Sequence, residues 1–397
     1  MELKFYCPAP WHGTFLTPTY SAVCCMRQGV PTNNLEDFFV DSHIKDLRQS
    51  FVTGELDKDC RFCQKTDQDG GHSLAKRYTN TYREVGIVSG PDIDANNFDA
   101  VLKPEYLELR FSNQCNFACR ICWPEWSNRI GEEAEANPTL KTLYHGSRFD
   151  IQTVNSKFVS QLLKYVDQYK WINIAGGEPM MMPEAVEFLD RVVELGHAEN
   201  ITLHLTTNVS TINNRIIERL KKFKHVVITL SIDAIDESAE YIRYGTVWKH
   251  IDRNLKFYND LALECPNFVM TFNMTFSAYA LFGLDKTLTY LSQWRNSNCH
   301  WLGGNLAQGP TNPYHLGGTT RHRAIDELTK AVEVLPKLMS DKPDIDTLAS
   351  QLVSLRTVLE TQTPNDKDWQ KLVEQTTMID KVRRQSFQDV YGFELNS

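Results

Sequence analysis

Three closely spaced cysteines follow a strand pattern in the segment Tyr106-Leu-Glu-Leu-Arg-Phe-Ser-Asn-Gln-Cys-Asn-Phe-Ala-Cys-Arg-Ile-Cys-Trp123. Residues 106–111 alternate apolar and polar side chains and are rich in aromatic residues and leucine, which predicts a strand. Ser112-Asn113-Gln114 then predicts a loop. Cys115, Cys119 and Cys122 should therefore lie on a loop after the carboxyl end of a strand, where open α/β sheets and barrels place their chemistry.

The spacing of these thiols predicts an iron–sulfur cluster. Such clusters are held by cysteine thiolates at short spacings that a loop can supply, and three ligands leave one iron open. A structural zinc ion takes four ligands in a closed tetrahedral site, and no fourth Cys or His lies near the triplet. The alternative is three buried cysteines that pack as small hydrophobic side chains.

With Trp123 beside the last cysteine, this pattern resembles the Cys-x-x-x-Cys-x-x-Cys motif of the radical S-adenosylmethionine (radical SAM) superfamily. The resemblance implies a 4Fe–4S cluster on Cys115, Cys119 and Cys122, with SAM bound to the fourth iron and Trp123 near the cofactor. It further implies that an electron splits SAM into methionine and a 5′-deoxyadenosyl radical, which abstracts a substrate hydrogen. An electron donor such as flavodoxin or ferredoxin is the expected partner.

Length, charge and cysteine usage narrow the class of protein. The 397 residues predict two or three domains, and a net charge of −8 does not indicate nucleic-acid binding. The sequence has neither an N-terminal signal pattern nor a run of about 18 apolar residues, so we expect a cytoplasmic protein that does not enter the membrane. Metal or cluster ligation explains ten cysteines in a reducing compartment better than disulfides do. Packing is the expected role of the remaining Cys265 and Cys299.

A second set of cysteines lies in the first 80 residues: Cys7, the pair Cys24-Cys25, Cys60 and Cys63. Four or five thiols can close a complete metal or cluster site. The sequence between Cys7 and Cys24 predicts a hairpin, and residues 41–54 predict a helix that starts at Asp41. A segment this small needs such a staple to be stable.

The order Cys7-Pro-Ala-Pro-Trp11, Cys24-Cys25, Leu47-Arg48 and Cys60 to Cys63 resembles the SPASM/twitch auxiliary-cluster domains of radical SAM enzymes. In most relatives this module follows the core domain, whereas here it precedes it. The resemblance implies a second 4Fe–4S cluster on Cys7, one of Cys24 and Cys25, Cys60 and Cys63. A structural zinc on the same thiols is the alternative.

Residues 66–100 are polar and rich in turn residues, which predicts a crossing between domains. A strand at 170–175 is then followed directly by Gly176-Gly177-Glu178-Pro179. Two glycines let the backbone approach a ligand, and a glutamate can accept a hydrogen bond from an ammonium group. In the radical SAM family this motif binds the amino group of the methionine moiety of SAM, so the resemblance assigns Gly176, Gly177, Glu178 and Pro179 to the cofactor.

Strands and helices keep alternating after this motif, which predicts a parallel sheet. The predicted strands are 201–206, 226–231 and 268–276, and the helices are 183–195, 211–223, 246–260 and one that ends near 294. The predicted class is α/β: a partial (β/α)6 TIM barrel, by resemblance, with a small N-terminal cysteine-rich domain and a helical C-terminal extension. The predicted domains cover residues 1–80, 100–300 and 301–397.

Four polar residues at strand ends are further candidates for the site: Asn208, Ser231, Asp233 and Arg243. By resemblance, Asn208 and Ser231 contact the ribose and methionine parts of SAM, and Arg243 contacts its carboxylate. Ordinary cap or loop hydrogen bonds are the alternative.

Residues 300–322 predict a long irregular segment that borders the substrate cavity. His300, His315 and His322 lie in this segment, and we interpret them as polar loop groups, because they lack the fixed spacing of a metal site.

The sequence therefore predicts a radical SAM enzyme that acts on a peptide, a protein or a small molecule, without identifying the substrate or a catalytic residue. Two other functions stay open. One is a non-catalytic iron–sulfur or zinc protein whose barrel binds a ligand. The other is a radical enzyme that transfers the methyl group of SAM.

Overall fold

The computed structural model describes residues 5–27, 29–31, 35–68, 73–87, 104–294, 299–339 and 345–395. The chain divides into two compact units. The first unit comprises Met1–Ser112, Gln152–Leu205 and Asn213–Val226, and the second comprises Asn113–Ile151, Thr206–Ile212 and Val227–Ser397. The domain limits predicted at residues 80, 100 and 300 stay a prediction.

Within the described residues the strands are, in chain order from β1 to β10, Gly13–Leu16, Ser21–Ala22, Tyr106–Arg110, Ala118–Cys119, Trp171–Ala175, Thr202–Thr207, His225–Ser231, Arg243–Tyr244, Phe268–Phe276 and Cys299–Leu306. The helices of the same residues are, from α1 to α17, Ala9–His12, Leu35–Phe39, Ser42–Thr53, Lys58–Gln68, Leu74–Glu84, Asn128–Ala136, Pro138–Leu143, Ser156–Leu163, Pro183–Glu194, Asn214–Leu220, Asp236–Ile242, Trp248–Glu264, Leu284–Ser292, Gly318–Met339, Ile345–Thr361, Asp366–Arg383 and Phe387–Tyr391.

Eight of these strands form a mostly parallel α/β sheet in the order β10-β9-β7-β6-β5-β3-β1-β2, and β4 pairs with β8 in a separate antiparallel ladder. Six of the eight, starting at β3, alternate with helices along the chain, as a partial barrel requires. The predicted α/β class is therefore confirmed, as is the helical C-terminal part, which consists of α14 to α17. No helix among the described residues is both long and apolar enough to cross a membrane.

In the first unit, strand alternation produces the core. Leu107 and Leu109 of β3 and their neighbours Ile172 and Ile174 of β5 are buried on one face, in parallel register. The predicted hairpin is formed by β1 and β2, and β1 joins β3 in parallel. The predicted helix is α3, which the Asp41 side chain caps and a left-handed Gly54 ends.

The prediction of a crossing at residues 66–100 is wrong where the structure describes this range. Helix α5 begins after a Ser73 cap, and its Tyr78 and Tyr82 are buried against the ring of Tyr106. Leu74, Tyr78 and Tyr82 recur every four residues and give a narrow apolar stripe inside a polar sequence. The part of the prediction that covers residues 88–100 lies outside the described residues.

The prediction of an irregular segment at 300–322 is wrong at both ends, which form a strand and the start of α14. Strand β10 runs from Cys299 to Leu306 in parallel with β9, which has the predicted bounds 268–276. Pairing with β9 overrides the low strand propensity of Gly303-Gly304. Short 3₁₀ turns follow, and Nδ1 of His315 lies 3.1 Å from the Pro310 carbonyl oxygen, which is the role of a polar loop group. His322 belongs to α14.

Candidate functional site

The structure places the three cysteines of the triplet on one loop of the second unit. Cys115 follows β3 through Asn113-Gln114, and its backbone N–H donates to Oδ1 of Asn128 at 2.8 Å. Cys119 ends β4, where it pairs with Arg243 of β8. The backbone N–H of Cys122 donates to the carbonyl of Cys119 at 3.1 Å. All three cysteines are half-buried, so one short loop presents three thiols, as predicted.

Burial disfavours ionisation of two of the three thiols on this loop. Burial raises the pKa of Cys119 and of Cys122, and the neighbouring Cys119 and Cys115 raise the pKa of Cys122 further. Thiolates are the form that binds metal. A cationic iron site supplies the positive charge that these protonated thiols lack, so the donor set fits an iron–sulfur cluster.

A buried ion pair lies beside Cys119. Nε of Arg243 lies 2.7 Å from Oδ2 of Asp233, and Oδ1 of Asp233 accepts the backbone N–H of Thr275 at 2.7 Å. The carboxylate of Asp233 raises the pKa of Arg243 despite its burial, so Arg243 stays charged. Ser231 is the last residue of β7. Contacts of Arg243 and Ser231 with SAM remain predictions.

Asn208 belongs to a polar network next to Cys115. Its Nδ2 lies 3.8 Å from Sγ of Cys115 and donates to Oδ1 of Asn116 at 2.9 Å, while its Oδ1 accepts the backbone N–H of Ser210. Val209 has a φ of +66°, which a β-branched residue rarely adopts, and Nδ2 of Asn254 donates to its carbonyl at 2.8 Å. Such strain concentrates at functional sites.

Sequence reasoning missed Asn116, Ser210 and Asn254 as members of this network. The available signal was the run of polar residues around the strand end at Asn208-Val209-Ser210.

The Trp123 side chain packs against residues outside the cysteine loop. Its ring lies edge-on to Tyr144 with the centroids 5.6 Å apart. Together with Cys122 it covers an apolar cluster that includes Ile130 and Ile379. Gly309 approaches the indole so closely that a Cβ there would lie 3.1 Å from Cζ2 of Trp123. The indole is therefore held in one position beside the cysteine loop.

In the first unit, the motif Gly176–Pro179 makes a tight turn after β5. Gly176 has a φ of +120°, and a Cβ there would lie 3.0 Å from the carbonyl oxygen of Ser112. The backbone N–H of Gly177 donates to that same carbonyl at 3.2 Å. Glu178 is buried, and its Oε1 accepts the backbone N–H of Met180 at 3.0 Å. Binding of SAM by this turn stays a prediction.

We expect Gly176→Ala to lower the free energy of unfolding more than Gly196→Ala does. Both glycines have positive φ, but nothing lies within 4 Å of a Cβ at Gly196. The control should therefore cost about 1 kcal/mol of backbone strain, whereas Gly176→Ala adds a clash with the Ser112 carbonyl and should cost about 2–3 kcal/mol. Denaturant unfolding of both variants measures the difference. Equal losses would contradict the close approach.

The N-terminal cysteines of the same unit converge on one cavity. It is lined by Cys7, Cys24, Cys60 and Cys63, together with Leu74 and Tyr78 of α5. Cys25 does not line it. Instead, Sγ of Cys25 lies 3.9 Å from the Tyr78 hydroxyl, which donates to Oε2 of Glu108 at 3.2 Å. The structure thus separates the two adjacent cysteines that the sequence left equivalent.

These four thiols also fit a cationic cluster. Burial raises the pKa of Cys7, Cys24 and Cys63, and it raises that of Cys60 to about 11. Negative charge on neighbouring thiols in the cavity raises the pKa of Cys7 and of Cys24 further. The fit is one of donor chemistry: within the described residues, no group of three or more His, Cys, Asp or Glu side chains is already arranged to hold a metal ion.

Comparison with known proteins identifies one domain. Residues 109–276 match the model of the Radical SAM superfamily. No curated protein matches this chain.

Solved structures give weak similarities. Native anSMEcpe with bound AdoMet and Cp18Cys peptide has a TM-score of 0.41 and 14% identity over 60% of this chain. Streptococcus suis SuiB bound to S-adenosylmethionine has a TM-score of 0.33 and 15% identity over 66%. The methyltransferase TsrM from Kitasatospora setae, with tryptophan and a SAM analogue bound, has 0.37 and 9% over 59%.

The chain spans 61%, 58% and 39% of the lengths of those three proteins, respectively. At these TM-scores the similarities bear on neither ligand nor activity. The family match begins at the end of β3 and covers the three-cysteine loop, the Gly176–Pro179 turn and the residues through β9. Residues 109–276 are therefore a radical SAM domain.

Proposed function

We propose that this protein is a radical SAM enzyme that cleaves SAM reductively and abstracts a hydrogen atom from a substrate. The observation that carries the proposal is the placement of Cys115, Cys119 and Cys122 on one loop, inside the segment that matches the family. Three thiolates occupy three irons of a 4Fe–4S cluster and leave the fourth for the amino and carboxylate groups of SAM. When bound, the cluster supplies the electron that splits SAM.

The surrounding residues hold the loop and the cofactor. The Asn128 side chain fixes the backbone at Cys115, and the β4–β8 ladder fixes Cys119. The paired guanidinium of Arg243 supplies positive charge toward the SAM carboxylate. The turn Gly176–Pro179 receives the methionine amino group, and Asn208 and Ser231 contact the ribose and methionine parts.

The N-terminal cavity holds a second 4Fe–4S cluster in this proposal. Cys7, Cys24, Cys60 and Cys63 supply a full set of four thiolates. With all four irons ligated by protein, this cluster would have no open position for SAM or for the substrate. Its proposed role is therefore to support substrate binding without ligating the substrate, or to accept an electron from it. The substrate is a peptide, a protein or a small molecule, the electron donor is a flavodoxin or ferredoxin, and the protein works in the cytoplasm.

The test is a product analysis of the anaerobically reconstituted, chemically reduced protein with SAM labelled in its methyl group. We expect 5′-deoxyadenosine and methionine that retains the label. Label in another product, together with S-adenosylhomocysteine, would replace the proposal with methyl transfer. Intact SAM in the presence of a bound cluster would favour the non-catalytic alternative.

A further inference from the structure

The last helices of the chain hold the loop that carries the ligand cysteines. Arg120 lies between Cys119 and Cys122, and only 1% of its surface is exposed. Its Nη2 donates to Oδ1 of Asp380 in α16 at 2.5 Å and to Oε1 of Gln385 at 2.9 Å. These two partners lie more than a hundred residues beyond the segment that matches the family.

Further contacts of Arg120 come from the end of α11, and its guanidinium carbon also lies 5.9 Å from the Tyr279 ring centroid. Its Nε donates to the carbonyl of Tyr241 at 2.9 Å, and its guanidinium carbon lies 3.6 Å from the Tyr241 ring centroid. The backbone N–H of Arg120 donates to the carbonyl of Ile242 at 2.8 Å. Within the described residues, Nη1 of Arg120 has no hydrogen-bond partner, but a buried guanidinium above all needs a compensating charge. Asp380 of α16 supplies that charge, so the ligand loop keeps this shape while α16 is docked.

The last turn of α16 makes a second contact with the region around the cysteine loop. The buried Arg383 makes a two-point contact with the Glu133 carboxylate, at 2.9 and 2.7 Å. Its guanidinium carbon lies 4.5 Å from the ring centroid of Tyr244. Tyr244 pairs with Ala118 in the short ladder that also holds Cys119. Arg383 therefore braces the strand that presents one of the three thiols.

A third contact is apolar. Ile379 is fully buried, and Met378 and Val382 pack on the same cluster as Cys122 and Trp123. Helix α16 therefore reaches the loop and its neighbouring strand in three ways: the ion pair of Asp380, the ring contact of Arg383, and the apolar side chains of Met378, Ile379 and Val382.

The backbone N–H of Phe387, the first residue of α17, donates to Oδ2 of Asp380 at 2.9 Å and so connects α17 to the same carboxylate. We propose that Arg120 is a positioning residue for the three-thiol site, and that docking of α16 and α17 is coupled to loading of that site. The inference rests on the proposed function, because it assigns the thiols to a cluster. Outer partners of metal ligands orient those ligands and typically change metal affinity about 10–100-fold when lost. Coupling between two events is reciprocal. Cluster loading should therefore stabilise docking of the helices by the same free energy by which docked helices stabilise cluster binding.

The first test compares Arg120→Met with the control Lys381→Gln, which alters an exposed residue of α16. We expect Arg120→Met to lose the iron of the three-thiol site, the barrel iron, to a chelator about ten times faster or more. Lys381→Gln should release this iron at the rate of the parent. Only the cluster on the three-thiol site, the barrel cluster, binds SAM in the proposal. The change in the electron paramagnetic resonance spectrum on addition of SAM therefore reports this cluster separately from the second one. It should be lost or altered in Arg120→Met. An unchanged spectrum and iron release equal to the parent would overturn the proposal.

The second test follows amide hydrogen exchange in residues 366–391 before and after cluster loading. Loading should slow exchange in these helices in the parent and in Lys381→Gln, and should have little effect in Arg120→Met. If loading leaves their exchange unchanged in the parent, the coupling does not exist. Should Arg120→Met fail to fold by circular dichroism, Asp380→Asn, which keeps the volume and removes the charge, decides between the same two outcomes.

A Cys119→Ala variant in the same iron-release assay separates the two levels of inference. If Cys119→Ala retains barrel iron and the SAM-dependent spectrum as the parent does, the proposed function is wrong. If Cys119→Ala loses both while Arg120→Met keeps both, only the positioning role of Arg120 is wrong.

Discussion

Replacing Cys115, Cys119 or Cys122 by alanine should abolish reductive cleavage of SAM. Each thiol comes from the same loop, and the backbone of this loop is fixed by Asn128 and by the β4–β8 ladder, so no neighbouring cysteine can substitute. A cluster held by two protein ligands has no stable site from which to bind and reduce SAM. The measurement is the rate of 5′-deoxyadenosine formation by each variant, with iron content determined on the same samples.

The matched control for these variants is Cys265→Ala. Cys265 is also a half-buried free cysteine, but it follows α12 and lies on no ligand loop. Its replacement should leave the cleavage rate unchanged. SAM cleavage that persists at the parent rate in a triplet variant would falsify the mechanism.

The second large effect is expected at the adjacent pair Cys24 and Cys25. The parent should bind about eight irons, and Cys24→Ala should bind about four, because a 4Fe–4S cluster needs its full set of thiolates. Cys25→Ala should keep all eight, since this thiol contacts the Tyr78 hydroxyl and is not among the residues that line the cavity. Iron content, zinc content and circular dichroism measured together test the pair.

The cost of losing this cavity should extend to stability. The module is small, and the proposed cluster would contribute to its folding, so Cys24→Ala should also unfold more readily than Cys25→Ala. Retention of iron by Cys24→Ala and its loss by Cys25→Ala would reverse the assignment. Four irons and one zinc in the parent would end the claim for a second cluster and leave the SAM site intact.

The parts of the fold that sequence predicted well have local causes. Strand β9 has the predicted bounds because a run rich in Phe, Val and Thr, Phe268–Phe276, lies between turn residues. Helix α3 was predicted from its Asp41 cap and its terminal Gly54, which act within a few residues of chain.

The missed elements depend on distant partners. Strand β10 forms on Gly-rich sequence because β9 offers a parallel edge, and helix α5 packs on Tyr106 of β3, beyond the end of any local window. Tertiary packing overrides propensity in both cases. The sequence placed Cys24 and Cys25 in one candidate site, but neighbouring residues point in different directions, and only the assembled cavity separates them.

Arg120 shows the same limit at the candidate site. Its charge partner Asp380 is 260 positions away along the chain. Nothing in the local pattern Cys119-Arg120-Ile121-Cys122 distinguishes a buried anchor from an exposed loop arginine. The cysteine triplet was predictable because its ligands are close in sequence, whereas the residues that hold it in place are not.

The central claim is that the loop of Cys115, Cys119 and Cys122 holds a cluster to which SAM binds directly. Electron–nuclear double resonance on the reduced protein, with ¹⁵N in the amino group of SAM, measures this contact. The account predicts a nitrogen hyperfine coupling to the cluster that is present in the parent and in Cys25→Ala and absent in Cys119→Ala. The contradicting result is a reduced cluster in the parent that shows no coupling to bound, labelled SAM, although Cys119→Ala abolishes that cluster.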